Sequence, residues 1–177
     1  HLHDRRQRQM CIRDRSINNK PSAIRYPRDF AYEYNNNNNF QKILIGKGKI
    51  LKKGKKIAFL NLGTRLKKVL EINEMIKNHH KLNCTVVDMR FAKPIDTKLI
   101  QNLNKTHDIF ITIEENAIGG FSSQVNDFLI NKLNKTPKIL NFFMKDEFID
   151  QSDIDDQYNK SGISKELIFD KISTLLK

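Results

Sequence analysis

Four short apolar runs recur along the chain, IAFLNLG from residue 57, TVVDM from 85, IFITI from 109 and KILNFF from 138, and helix-like stretches separate them. This alternation constrains the fold more than any other feature. TRLKKVLEINEMIKN places Leu66, Val69, Leu70, Ile72 and Ile76 at helical spacing. DTKLIQNLNK reads as a short helix with Asp96 as its cap after Pro94. Ser122 or Ser123 is expected to cap a helix through Leu133, and Ser164 to cap an amphipathic helix in SKELIFDKISTLLK. Strands alternating with helices at this spacing predict βαβ crossovers and a mainly parallel sheet. Upstream, ILIGKGKILKKGKKIAFLNLG reads as two strands joined by a tight turn at Lys53-Gly54-Lys55. The first of them, near Gly48 to Lys53, is expected to be an antiparallel edge strand.

In parallel sheets of this kind, ligands sit at the carboxyl ends of the strands. Polar residues cluster there: Asn61, Gly63 and Thr64 after the first long run, Asp88 and Arg90 after the second, Glu114 to Asn116 after the third. Glu114 and Glu115 end an apolar strand in two adjacent carboxylates. Neighbouring strand residues point to opposite faces, so the pair is not suited to act as one acid–base dyad or metal clamp. The expected role is interface or loop ordering rather than catalysis. Gly119-Gly120 is too short for a dinucleotide fingerprint.

Two segments carry arginines of interest. RYPR puts Arg25 and Arg28 around a Tyr-Pro pair whose backbone is stiffened by Pro27. Such arginines suit bidentate phosphate recognition, although surface arginines are often inert. Arg90 follows an apolar strand with Asp88 two residues before it, so an internal ion pair is its alternative reading.

At 177 residues the chain suits one domain and a tail. The formal charge of +12 invites a nucleic-acid reading. However, the lysine cluster between Lys47 and Lys56 lacks interleaved aromatics for base stacking, and lysines commonly blunt an exposed strand edge. No nucleic-acid or membrane partner is expected: no apolar run approaches the roughly 20 residues that span a bilayer. Cys11 and Cys84 are the two cysteines. Cys84 opens an apolar run and reads as a buried thiol in a reduced, cytoplasmic protein. His79-His80 lack a third ligand, and no CxxC, HExxH, GxSxG or P-loop occurs, so neither a metal site nor a self-sufficient catalytic centre is expected. Residues 1–16 read as a disordered arm or sequence scar. Residues 17–42, with the Asn35 to Asn39 tract, read as a linker and the tail of a preceding domain, and 43–177 as the folded domain.

Taken together, PSAIRYPR, IGKGKI, LNLGT, VVDMRFAKPID, HDIFITIEENAIGGFSSQVNDFL, FIDQ and SGIS resemble the C-terminal part of the 1-deoxy-D-xylulose-5-phosphate synthase family. That group is transketolase-like and thiamine-diphosphate-dependent. The resemblance spans about residues 21 to 177. It implies a three-layer α/β domain of transketolase C-terminal type, packed in a homodimer and against upstream domains that bind thiamine diphosphate and Mg²⁺. It further implies that the full-length enzyme condenses pyruvate with glyceraldehyde 3-phosphate, releasing CO₂, to feed isoprenoid, thiamine and pyridoxal synthesis. In the family, the first arginine of RYPR and the arginine of DMRF hold the aldehyde's phosphate, which correspond here to Arg25 and Arg90. A fragment of this kind is expected to be inactive alone. The alternative is a stand-alone binding or regulatory module, or the C-terminal domain of a 2-oxoacid dehydrogenase β subunit. Asp29 where the family has glycine, the Asn tract, and Phe121 where a small residue is common are departures from the pattern.

Overall fold

The structure, a computed structural model, describes residues 44–176. These fall within one compact unit, Ile43–Lys177. Arg25, Arg28, the N-terminal arm and the Asn tract lie outside the described residues.

Five strands, β1 (Lys49–Lys52), β2 (Lys56–Asn61), β3 (Thr85–Asp88), β4 (His107–Ile113) and β5 (Lys138–Phe142), form one sheet in the order β1-β3-β2-β4-β5. β2, β3, β4 and β5 run parallel, and β1 lies antiparallel to β3 on the edge. Among the described residues five helices accompany them: α1 (Leu66–His80), α2 (Thr97–Asn104), α3 (Phe121–Asn131), α4 (Ile154–Ser161) and α5 (Lys165–Leu176). β2 and β4 are covered on both faces, which is why their sequences are apolar almost without interruption.

Alternate residues of the central strands feed two cores. Ile57, Phe59, Ile109, Ile111 and Ile113 pack with Val69, Ile72 and Ile76 of α1 and with Ile168 and Ile172 of α5. Ala58, Leu60 and Phe110 pack with Ile100 and Leu103 of α2 and with Val125 and Leu129 of α3. The result is the expected helix–sheet–helix layering with one antiparallel edge strand.

One expectation is overturned. β1 and β2 are consecutive but do not form a hairpin, because β3 lies between them. The connection crosses the start of β3 and is tied to it. The Gly54 amide donates to Thr85 Oγ1 at 3.0 Å, and the Lys55 amide to the Asn83 carbonyl at 2.9 Å. A Cβ on Gly54 would lie 2.1 Å from the Asn83 oxygen, so glycine is what lets the chain pass this close. Asp96 anchors the other end of β1. Besides capping α2 through the Leu99 amide (3.1 Å), it accepts from the Gly48 amide at 3.2 Å.

Candidate functional site

The three parallel strands β2, β3 and β4 end level with one another: Asn61 is in register with Asp88 on one side and Ile113 on the other. Their following loops therefore emerge on one edge. Backbone bonds hold them there, from Met89 N to Asn61 O and from Leu62 N to Ile113 O, both at 2.9 Å. β2 leads into α1 on one face, towards β3, whereas β4 leads into α3 on the other, towards β5. The edge between β2 and β4 is thus the point at which the winding reverses, where open α/β sheets place their ligands.

Arg90 sits at this edge on a three-residue turn. The Phe91 amide donates to the Met89 carbonyl at 2.6 Å, and Arg90 between them has φ of 60°. A tight turn around a non-glycine residue of positive φ is rare and strained. Arg90 Nε lies 3.5 Å from Asp88 Oδ2, and about a quarter of each side chain is exposed. The guanidinium's terminal nitrogens have no hydrogen-bond partner among the described residues.

Glu114 and Glu115 diverge to the two layers. Glu114 is fully buried and crosses the start of α3, where Oε2 accepts from the Phe121 amide at 2.8 Å and Oε1 from the Ser122 amide at 2.7 Å. Asn116 Nδ2 also donates to Oε2, at 3.2 Å. A carboxylate at a helix N-terminus satisfies amides that have no intrahelical acceptor and meets the positive end of the helix dipole. Ser122 and Ser123, expected as caps, are not: the cap position is Gly120, and no side chain of that residue can serve. The acceptor comes instead from the preceding strand. A Cβ on Gly120 would lie 2.3 Å from Glu114 Oε2, so only glycine admits the carboxylate.

Glu115 turns to the α1 side. It accepts hydrogen bonds from the Thr64 hydroxyl and, at 2.5 Å, from the Tyr158 hydroxyl of α4. The Tyr158 ring stacks under the Arg65 guanidinium, 3.7 Å from the ring centroid, and Arg65 Nη2 donates to the Ile163 carbonyl at 2.9 Å. Burial, reinforced by the Glu115 bond and charge, raises the Tyr158 hydroxyl above its ordinary pKa. Among the described residues no three His, Cys, Asp or Glu side chains converge in a way that could hold a metal ion. The carboxylates at this edge are already committed to protein donors, and no glycine-rich phosphate cradle is present among the described residues. The donor set therefore does not fit a Mg²⁺–diphosphate group.

Residues 46–168 match the family model "Transketolase, C-terminal domain". The chain belongs to the transketolase C-terminal domain family. Among curated proteins, this transketolase C-terminal domain is similar to 1-deoxy-D-xylulose-5-phosphate synthases. It is 40% identical to that of Psychromonas ingrahamii over 156 residues, which is 85% of this chain and 24% of the relative. It is 48% identical to that of Aliivibrio fischeri over 139 residues, 74% of this chain and 21% of the relative. The chain spans about a quarter of the length of the curated relatives it matches, in their C-terminal part. Among solved structures it resembles a split-gene transketolase described as an inactive β4 tetramer, with TM-score 0.69 and 27% identity over 77% of this chain and 44% of that one. A mutant transketolase of Pichia stipitis shares the fold alone, with TM-score 0.52 and 9% identity over 74% of this chain and 18% of that one.

Two features of this transketolase C-terminal domain escape a reading by local pattern. Helix α4 has no apolar periodicity that marks it, with Ser161 its one buried residue. Its signals were present in Asp153, whose side chain accepts from the Asp156 amide at 2.9 Å, and in Gly162, which ends the helix at φ of 80°. Local pattern does not single out Tyr158 or Arg65 either, because the Tyr158–Glu115 bond joins residues 43 apart and Arg65 meets the Tyr158 ring and the Ile163 carbonyl, 98 residues from it. No helix among the described residues is long and apolar enough to cross a membrane.

Proposed function

We propose that this chain is the C-terminal part of a 1-deoxy-D-xylulose-5-phosphate synthase. The longer protein condenses pyruvate with glyceraldehyde 3-phosphate and releases CO₂ in the cytoplasm, acting as a homodimer. Thiamine diphosphate and Mg²⁺ supply the carbanion chemistry and are held by upstream domains. Residues 17–42 link those domains to this one. The relatives named for that activity support the reading, and so does their fourfold greater length. The inactive β4 tetramer of the split-gene transketolase supports the view that a piece of this kind does not turn over alone.

The contribution proposed for this domain is a grip on the aldehyde's phosphate by Arg90, with Arg25 and Arg28, together with packing of the Glu114 and Glu115 loop against neighbouring domains. One observation carries it. Arg90 is held at the carboxyl edge in a backbone conformation that is costly for arginine, with its terminal nitrogens unpaired among the described residues. Backbone strain at a residue on the ligand edge of a sheet supports a functional role for it.

In the full-length protein, Arg90→Ala should raise KM for glyceraldehyde 3-phosphate by about ten- to a hundredfold, since a charge-assisted bond contributes about 1.5–3 kcal/mol. KM for pyruvate, which has no phosphate, should stay within about twofold. Lysine should rescue only in part, lacking the planar fork. Equal loss for both substrates would make Arg90 a structural ion-pair partner and overturn the assignment.

A further inference from the structure

We infer that Asp88 is the positioning residue for Arg90: it takes the guanidinium by Nε and presents the two terminal nitrogens as a fork for a phosphate. This rests on the phosphate-binding reading of Arg90.

The contact is specific in which nitrogen it uses. Arginine has five N–H donors, one on Nε and four on the terminal pair. Asp88 Oδ2 meets only Nε, at 3.5 Å. The donors that match two phosphate oxygens are therefore the ones left over. A carboxylate paired end-on with the terminal nitrogens would instead compete with the substrate for the same fork.

The position of Asp88 is itself fixed. It is the last residue of β3, in register with Lys49 of β1 and with Asn61 of β2, so ladders on both sides hold its backbone. Two residues later the turn closed by Phe91 N and Met89 O brings Arg90 back over it. A long side chain with four rotatable bonds would otherwise lose its freedom on binding, and restraint beforehand lowers that cost.

Stability is a poor explanation for the pair. It is long and about a quarter exposed on each side, and ion pairs of that sort contribute little. It sits beside a backbone conformation that costs free energy. A device of this kind makes sense where orientation, rather than folding, is what it supplies.

Electrostatics makes the inference testable by sign. A carboxylate near a dianionic phosphate repels it, so an Asp88 without a positioning role would weaken binding, and its removal would lower KM. In the full-length protein, Asp88→Ala is expected to raise KM for glyceraldehyde 3-phosphate by about fivefold to tenfold, with kcat and pyruvate KM within about twofold. Asp88→Asn, which keeps an oxygen for Nε, should lose less than alanine. Added to Arg90→Ala, either change should have little further effect, because the two residues act as one unit. The Arg90 Nε–H proton resonance is expected to be resolved in the parent protein and to broaden or exchange in Asp88→Ala.

A fall in KM, effects that multiply with those of Arg90→Ala, or an equal loss for both substrates with a lowered Tm would each overturn the inference. An Asp88→Ala variant that behaves as the parent would overturn it while leaving the Arg90 assignment intact. An Arg90→Ala variant with unchanged aldehyde KM would instead remove the reading on which it stands.

Discussion

The Glu114 carboxylate and the Phe121 amide, seven residues apart in sequence, meet at 2.8 Å inside the protein and fix where α3 begins. With the Ser122 bond, one buried side chain closes both the strand end and the helix start. Glu114→Ala should leave two buried amides without acceptors and cost about 3 kcal/mol or more, with Glu114→Gln losing about half of that. Gly120→Ala should destabilise by a comparable route, because its methyl would take the carboxylate's place. Urea unfolding of the chain measures all three. An alanine variant at position 114 within experimental error of the parent would show that the cap contributes nothing.

Glu115 acts on the opposite layer, and its worth is best read as a coupling. Tyr158→Phe and Glu115→Gln should each destabilise by about 1 kcal/mol, and the double variant by little more than either. Full additivity in the double-mutant cycle would mean that the hydroxyl and the carboxylate do not interact in solution.

Cys84 predicts an alkaline limit to stability. Burial pushes its thiol from an ordinary 9.0 up to about 12, and the neutral form is the one the core accepts. The unfolded chain therefore loses this proton first as pH rises. The contribution is complete below pH 9 and is lost progressively towards pH 12, by about 4 kcal/mol in all. Tyr158, also raised, adds loss of the same sign from pH 10 upward. Unfolding free energies measured from pH 8 to 11 should fall, and Cys84→Ala should remove the part of the slope that begins near 9. Parallel curves for variant and parent would contradict this.

β1 is an edge strand whose exposed ends are Lys49 and Lys52. Unpaired strand edges template association, and lysine is a common guard against it. Replacing both with valine should leave the monomer's stability within about 0.5 kcal/mol yet promote concentration-dependent assembly, visible by light scattering. A variant that stays monodisperse at high concentration would show that the lysines have no protective role there.

Much of this architecture was legible locally. β2 and β4 carry nearly continuous apolar runs because they are covered on both faces, and α1 and α2 show helical spacing because one stripe of each is buried. What escaped was long-range. The turn at Gly54 has the residues of a hairpin, yet Thr85 and Asn83 draw it across β3, and nothing near Gly54 reports those partners. The cap of α3 escaped in the same way, since the rule that favours Ser122 looks only at the flanking residues. At the candidate site, Arg90, Glu114 and Glu115 were visible as polar residues after apolar strands. Tyr158 and Arg65 were not, because nothing around a helical tyrosine or an arginine before a helix announces the hydroxyl's bond to Glu115 or the guanidinium's place over that ring. The left-handed backbone at Arg90 is equally hidden, as no residue in MRF demands it.

The pleat gives the Glu114-Glu115 dipeptide a consequence that composition does not show. Each carboxylate is assigned to its layer by position alone, the first to α3 and the second to Thr64 and Tyr158. Deleting one residue from β4 would not remove an acid so much as move both to the opposite layer. Glu115 would take the place facing the α3 amides, Asn116 the place facing Thr64 and Tyr158, and Glu114 would be driven into the buried site of Ile113. The segment from His107 to Glu115 is thus a ruler, whose length is under tighter constraint than its chemistry. Variation in loop size at this edge has room only after Asn116, where the chain has left the sheet and counting no longer matters.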